Sequence, residues 1–69
     1  MKMNTIGAEL RAARERARLT QADAARLIGV APNQVYLWET GRRMPGAARY
    51  LRAMELLKAA ATASDRAPG

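Results

Sequence analysis

The side chains of this sequence that could do chemistry are amides and guanidinium groups. Asn33 and Gln34 stand next to each other, Gln21 precedes them, and Arg42 and Arg43 follow Gly41. An amide offers a donor and an acceptor side by side, and a guanidinium offers a rigid fork of donors that suits oxyanions. This is equipment for recognition. The 69 residues contain no cysteine and no histidine, which removes thiol chemistry, disulfides and the usual zinc ligands. No glycine-rich phosphate loop and no suitably spaced pair of carboxylates is present, so the expectation is a protein that is not an enzyme, with no catalytic residue, metal or cofactor.

Charge narrows the partner. Twelve Lys and Arg stand against six Asp and Glu, a formal net charge of +6, and eleven of the twelve cations lie between Lys2 and Lys58. A surplus spread through the body of the chain favours a polyanion. A GC-rich genome, which enriches arginine and alanine, would give the same totals, so placement has to decide.

The elements that must position these groups are two short helices between Thr20 and Gly41. Thr20 supplies a hydroxyl to the free N–H groups that open a helix. Ala24, Ala25 and Ile28 recur at helical spacing, and Gly29 follows where the backbone must turn to positive φ. Val30 fills the elbow, and Pro32 suits the first turn of the next helix because its missing N–H would have had no partner. Ala31 has no side-chain oxygen with which to cap that helix. Val35 and Trp38 point inward, which leaves Asn33, Gln34, Tyr36, Leu37 and Thr40 on its sides and outer face. Ala25 stands where the helices cross, and its small side chain lets them close.

Flanking helices complete the core. A first helix is expected from Asn4 or Thr5 to about Arg18, with Glu9 near its start and Ile6, Leu10, Ala13 and Ala17 on its buried face. Leu19 closes the connection. Gly41 ends the second of the two short helices, and a last helix is expected from Gly46 to about Ala61. Ala47, Leu51 and Met54 follow one of its faces; Tyr50, Ala53, Leu57 and Ala60 follow a neighbouring one. One face closes the core and the other is free to meet a second subunit, so Tyr50, Ala53, Met54 and Leu57 are the dimer-interface candidates. Residues 1–61 are expected to form one domain and 62–69 a disordered tail. A chain this short buries only about 60% of its unfolded surface, which favours a partner subunit. With no run of eighteen apolar residues and no signal-type segment, the expected location is cytoplasmic, with no membrane partner.

The string LTQADAARLIGV followed by VYLWETGRRMP, with Gln21, Ala25, Gly29, Val30, Val35 and Trp38 in register, resembles the helix-turn-helix of the lambda repressor and Cro-like (XRE) family. The resemblance implies an all-α, compact four- to five-helix bundle whose second helix of the pair reads double-stranded DNA. An α-helix fits the major groove, where Asn or Gln can make two bonds to adenine. Asn33, Gln34, Tyr36 and Leu37 are then the candidate base readers, with Pro32 limited to apolar contact. Gln21, Thr40, Arg42 and Arg43 are the candidate phosphate contacts. The family also implies an ion pair between Arg14 and Glu39, and Glu39 needs a cation because it lies near a helix C-terminus, where the dipole disfavours negative charge.

The implied function is a sequence-specific transcriptional regulator: a homodimeric repressor on an inverted-repeat operator that autoregulates its own operon. Phage, antitoxin and anti-CRISPR-associated regulators fit equally. The alternative is a protein-interaction module, such as an antitoxin or adaptor, whose last helix binds a partner. Tyr36 and Leu37 would then pack against protein. An adaptor has no need of a cationic surround to its reader helix, which separates the two readings.

Overall fold

A computed structural model describes residues 5–65 as four helices: α1 (Thr5–Arg16), α2 (Gln21–Ile28), α3 (Pro32–Glu39) and α4 (Ala47–Asp65). The expected cap at Asn4 and the last four residues lie outside the described residues. Among the described residues no helix is long and apolar enough to cross a membrane.

Local chemistry sets where the helices start and stop. The Thr20 hydroxyl accepts the Asp23 N–H at 3.0 Å and opens α2. At the other end Gly29 takes φ +93°, and the N–H groups of Gly29 and Val30 both reach the Ala25 carbonyl, at 2.7 and 2.9 Å. A Cβ there would meet nothing within 4 Å. Glycine is therefore required by the backbone alone. Ala31 makes no capping bond, and α3 opens on Pro32.

α3 closes with the hydrogen-bond pair of a Schellman motif. Arg42 N–H donates to Leu37 O at 2.9 Å and Gly41 N–H to Trp38 O at 3.2 Å, with Gly41 at φ +80°. α1 closes the same way, through Leu19 N–H to Arg14 O at 3.2 Å and Arg18 N–H to Glu15 O at 2.9 Å. Here the left-handed residue is Arg18, at φ +62°. The helix expected to reach Arg18 thus stops at Arg16, because the chain must turn back to send Leu19 against the core. A side chain with a Cβ costs roughly 1–2 kcal/mol in that conformation.

Leu10, Val35, Trp38 and Leu57 form the core with Ala13, Ala17, Ala24, Ala25, Ala53 and Ala61. The six alanines let the helices approach closely, while Trp38 supplies most of the bulk between them. Ile6, Leu19, Ile28, Val30, Tyr50 and Met54 pack around this centre.

α4 departs from expectation in two ways. The face carrying Tyr50, Ala53, Leu57 and Ala61 closes the core, and Ala53 and Leu57 are only 0% and 2% exposed. Neither can form a subunit interface. Tyr50 is tied down too, since its hydroxyl donates to Glu9 Oε1 at 2.5 Å, and Met54 is half-buried against the core. The four dimer candidates are thus largely spent on the chain's own packing, while Leu51 is 63% exposed. Secondly, the helix continues through Asp65, so residues 62–65 are helical where the tail was expected to begin. Glu9 lies beyond the first turn of α1, which holds no acid.

Candidate nucleic-acid interface

The geometry of α3 depends on one buried carboxylate. Arg14 Nε lies 2.6 Å from Glu39 Oε2 and its Nη2 lies 3.1 Å from Oε1, a fork-on-fork pair whose side chains are 14% and 5% exposed. Arg14 Nη1 also donates to the Leu19 carbonyl at 2.9 Å, so one guanidinium joins α1, the α1–α2 connection and α3. The hydrogen bond with Glu39 raises the Arg14 pKa above the ordinary arginine value; burial opposes the rise, and the charges of Glu39 and Glu15 add to it. Arg14 stays a cation at any working pH.

Gln21 enters the same cluster. Its Nε2 donates to Glu39 Oε1 at 3.1 Å. Named by the resemblance as a phosphate contact, this amide is tied within the fold to the closing residue of α3. The physical consequence concerns charge. Glu39 is the only acid on α3, and Arg14 and Gln21 hold it inward, so the outer face of the helix presents none.

On that outer face Pro32 and Asn33 are exposed at the helix start, and Tyr36 follows one turn on, 42% exposed. Leu37 is half-buried. Thr40 is exposed, but its hydroxyl donates to the Tyr36 carbonyl at 2.9 Å, which occupies its only side-chain proton. Gln34 lies on the flank. It lines a cleft with Arg43 and Arg49, bounded by the α2–α3 turn at Gly29 and the α3–α4 loop at Gly46. The candidate readers are therefore divided between a ridge, Asn33 and Tyr36, and a cleft wall, Gln34.

Arg42 and Arg43 are exposed on the loop behind α3, and neither takes part in a salt bridge among the described residues. Sequence reasoning missed Arg49. The signal was its place three residues into a helix that follows the Arg42–Arg43 loop, which brings it back beside Arg43. Elsewhere, Glu15 pairs with Arg11 and Asp23 with Arg26, at 3.1 and 3.3 Å. Among the described residues no group of three or more acids gathers to hold a metal ion.

A family model described as a helix-turn-helix domain matches residues 5–67. The chain belongs to the lambda repressor/Cro-like (XRE) helix-turn-helix family. No curated protein and no solved structure matches the sequence. Membership implies DNA binding, in a family whose members are typically not enzymes. Within it, α2 and α3 are the two helices of the motif, and Gly29, Val30 and Ala31 form the turn between them.

Proposed function

We propose that this protein regulates transcription by binding a specific operator as a homodimer, with α3 of each subunit in successive major grooves. One observation carries the reading: α3 offers the Asn33 amide and the Tyr36 ring outward with Gln34 on its flank, its single acid is held inward, and the arginines beside it form no salt bridge among the described residues. Asn33 and Gln34 have the donor–acceptor chemistry that distinguishes adenine, and Tyr36 and Leu37 can meet a thymine methyl or a sugar. Arg42, Arg43 and Arg49 would grip phosphates, which positions the domain without reading sequence. Gln21 and Thr40 contribute less, since each already spends a donor inside the fold.

The dimer would set its reader helices about 34 Å apart, over half-sites centred 10 to 11 base pairs from each other. Leu51, on the outward face of α4, is the apolar residue best placed for that contact once Ala53 and Leu57 are spent on the core. Bound over a promoter, such a dimer shuts out RNA polymerase, and autoregulation of its own operon is the simplest circuit.

The test is fluorescence anisotropy with DNA from upstream of the reading frame. Asn33→Ala and Gln34→Ala should each relax preference at one base pair by about 1–3 kcal/mol, whereas Arg43→Ala should weaken binding to all sequences alike. Folded variants that all bind like the parent would end this reading.

A further inference from the structure

A helix lying in the major groove, which is about 12 Å wide, has a sugar-phosphate strand on either side of it. The cations named so far all approach α3 from one side. Arg42 and Arg43 belong to the α3–α4 loop, and Arg43 and Arg49 line the cleft that runs past Val30, Ala31 and Gln34. Elsewhere along α3 stands the connection from α1 to α2, which one guanidinium ties to the last residue of the helix: Arg14 donates to the Leu19 carbonyl at 2.9 Å and to Glu39 at 2.6 Å. Gln21, the amide expected to meet a phosphate from there, already donates to Glu39. A grip on the second strand needs another donor.

Five arginines lie between Thr5 and Ile28, and four are engaged elsewhere. Arg14 is held by Glu39, while Arg11 and Arg26 pair with Glu15 and Asp23 at 3.1 and 3.3 Å. Arg16 borders a groove between α1 and α4 that no residue of α2 or α3 lines. Arg18 is left. It is exposed, forms no salt bridge among the described residues, and directly precedes the Leu19 whose carbonyl Arg14 holds. Its backbone singles it out as well: among the described residues three take positive φ, and the other two are glycines, Gly29 at +93° and Gly41 at +80°, against +62° for Arg18. Glycine would meet the demand of that turn without steric cost, so the backbone gives no reason for a side chain there.

We infer that Arg18 contacts DNA, its guanidinium gripping phosphates of the strand across the groove from Arg42, Arg43 and Arg49. A guanidinium presents two parallel donors to a phosphate. Cations on both strands fix how α3 sits across the groove, and such contacts position the helix without reading sequence. The inference rests on the operator reading and adds the second strand to it.

The experiment measures anisotropy of a labelled duplex from upstream of the reading frame, over a range of salt, for the full-length chain and its variants. Arg18→Gly should melt no lower than the parent, because glycine suits the left-handed turn. It should nevertheless bind roughly tenfold or more weakly at ~0.15 M salt and flatten the slope of log affinity against log salt by about 0.9 per subunit. Arg18→Lys should keep the slope and Arg18→Gln should lose it. Arg16→Gln removes the same charge away from α2 and α3, and should leave affinity and slope as they are. Duplexes in which single phosphates are replaced by uncharged methylphosphonates then locate the contact. Arg18→Gly should become insensitive to replacement on one strand of the groove, and Arg43→Ala to replacement on the other.

Parental affinity and slope in Arg18→Gly overturn the inference. An equal loss in Arg16→Gln does so too, since net charge alone would then be acting. Insensitivity on the same strand for Arg18→Gly and Arg43→Ala removes the two-sided grip, and a melting temperature of Arg18→Gly below the parent's would assign the side chain to the fold. Should Arg43→Ala weaken binding while Arg18→Gly does not, this inference falls and the operator reading stands; a parent that binds no duplex ends both.

Discussion

Arg14 and Arg16 are two residues apart on one helix and have opposite surroundings. Arg14 is held by Glu39 and the Leu19 carbonyl, largely out of water; Arg16 is exposed at a groove rim. Removing Arg14 leaves a buried carboxylate without its cation, at a cost of about 3–5 kcal/mol. Arg16→Ala should change stability by no more than about 0.5 kcal/mol. Urea titrations of both variants check this, and equal midpoints would mean that the pair contributes nothing to the fold.

Tyr50 gives a pH-dependent counterpart. Its hydrogen bond to Glu9 raises the phenol pKa, with burial and the Glu9 charge adding to the rise. Folding therefore favours the neutral phenol. That contribution is complete below the unfolded tyrosine value, about 10, and is lost as pH rises through the higher folded value. An absorbance titration should show a tyrosine component above the ordinary range that disappears in Tyr50→Phe and moves down in Glu9→Gln.

At the scale of the element, α3 is an eight-residue helix with no side-chain cap. Ala31 already has the extended backbone of an N-cap residue, at φ −70° and ψ 146°. Ala31→Ser and Ala31→Asp should each stabilise the fold by about 1 kcal/mol. Their effects on DNA should differ, because Asp adds a negative charge beside the reader helix and Ser does not. The Asp variant should melt higher yet bind DNA more weakly, and the Ser variant should melt higher and bind like the parent. Calorimetry and anisotropy on the same samples test both halves; a destabilised Ser variant would show that Ala31 is held by something other than the helix start.

For the whole molecule, the relevant quantity is how charge is distributed. Four of the six acids are tied within the fold by partners among the described residues: Glu9 to Tyr50, Glu15 to Arg11, Asp23 to Arg26 and Glu39 to Arg14. Arg42, Arg43 and Arg49 are left to face an outside anion. A dimer with four or five phosphate contacts per subunit should give a slope of log affinity against log salt of roughly −7 to −9. A slope near −1 would be incompatible with this surface gripping a duplex.

The sequence by itself determined what depends on near neighbours. Thr20 as a cap, Gly29 and Gly41 as left-handed stops, Pro32 as a helix opener and the inward spacing of Val35 and Trp38 each follow from chemistry within one or two turns. A helical stripe and a positive φ are local properties, so local sequence carries them, and the helix-turn-helix was legible for that reason. The stop at Arg18 was not, because no glycine marks it and only the need to seat Leu19 in the core enforces it.

Tertiary structure alone decided the rest. α4 has two apolar faces that sequence could not rank, and packing on α1 buried Ala53 and Leu57 and left Leu51 outside. Gln21 bonds to Glu39, eighteen residues away, and Arg49 shares a cleft with Gln34 across a loop. Such partners are set by where whole helices come to rest, and no local rule encodes a contact between side chains that meet only after the chain has folded.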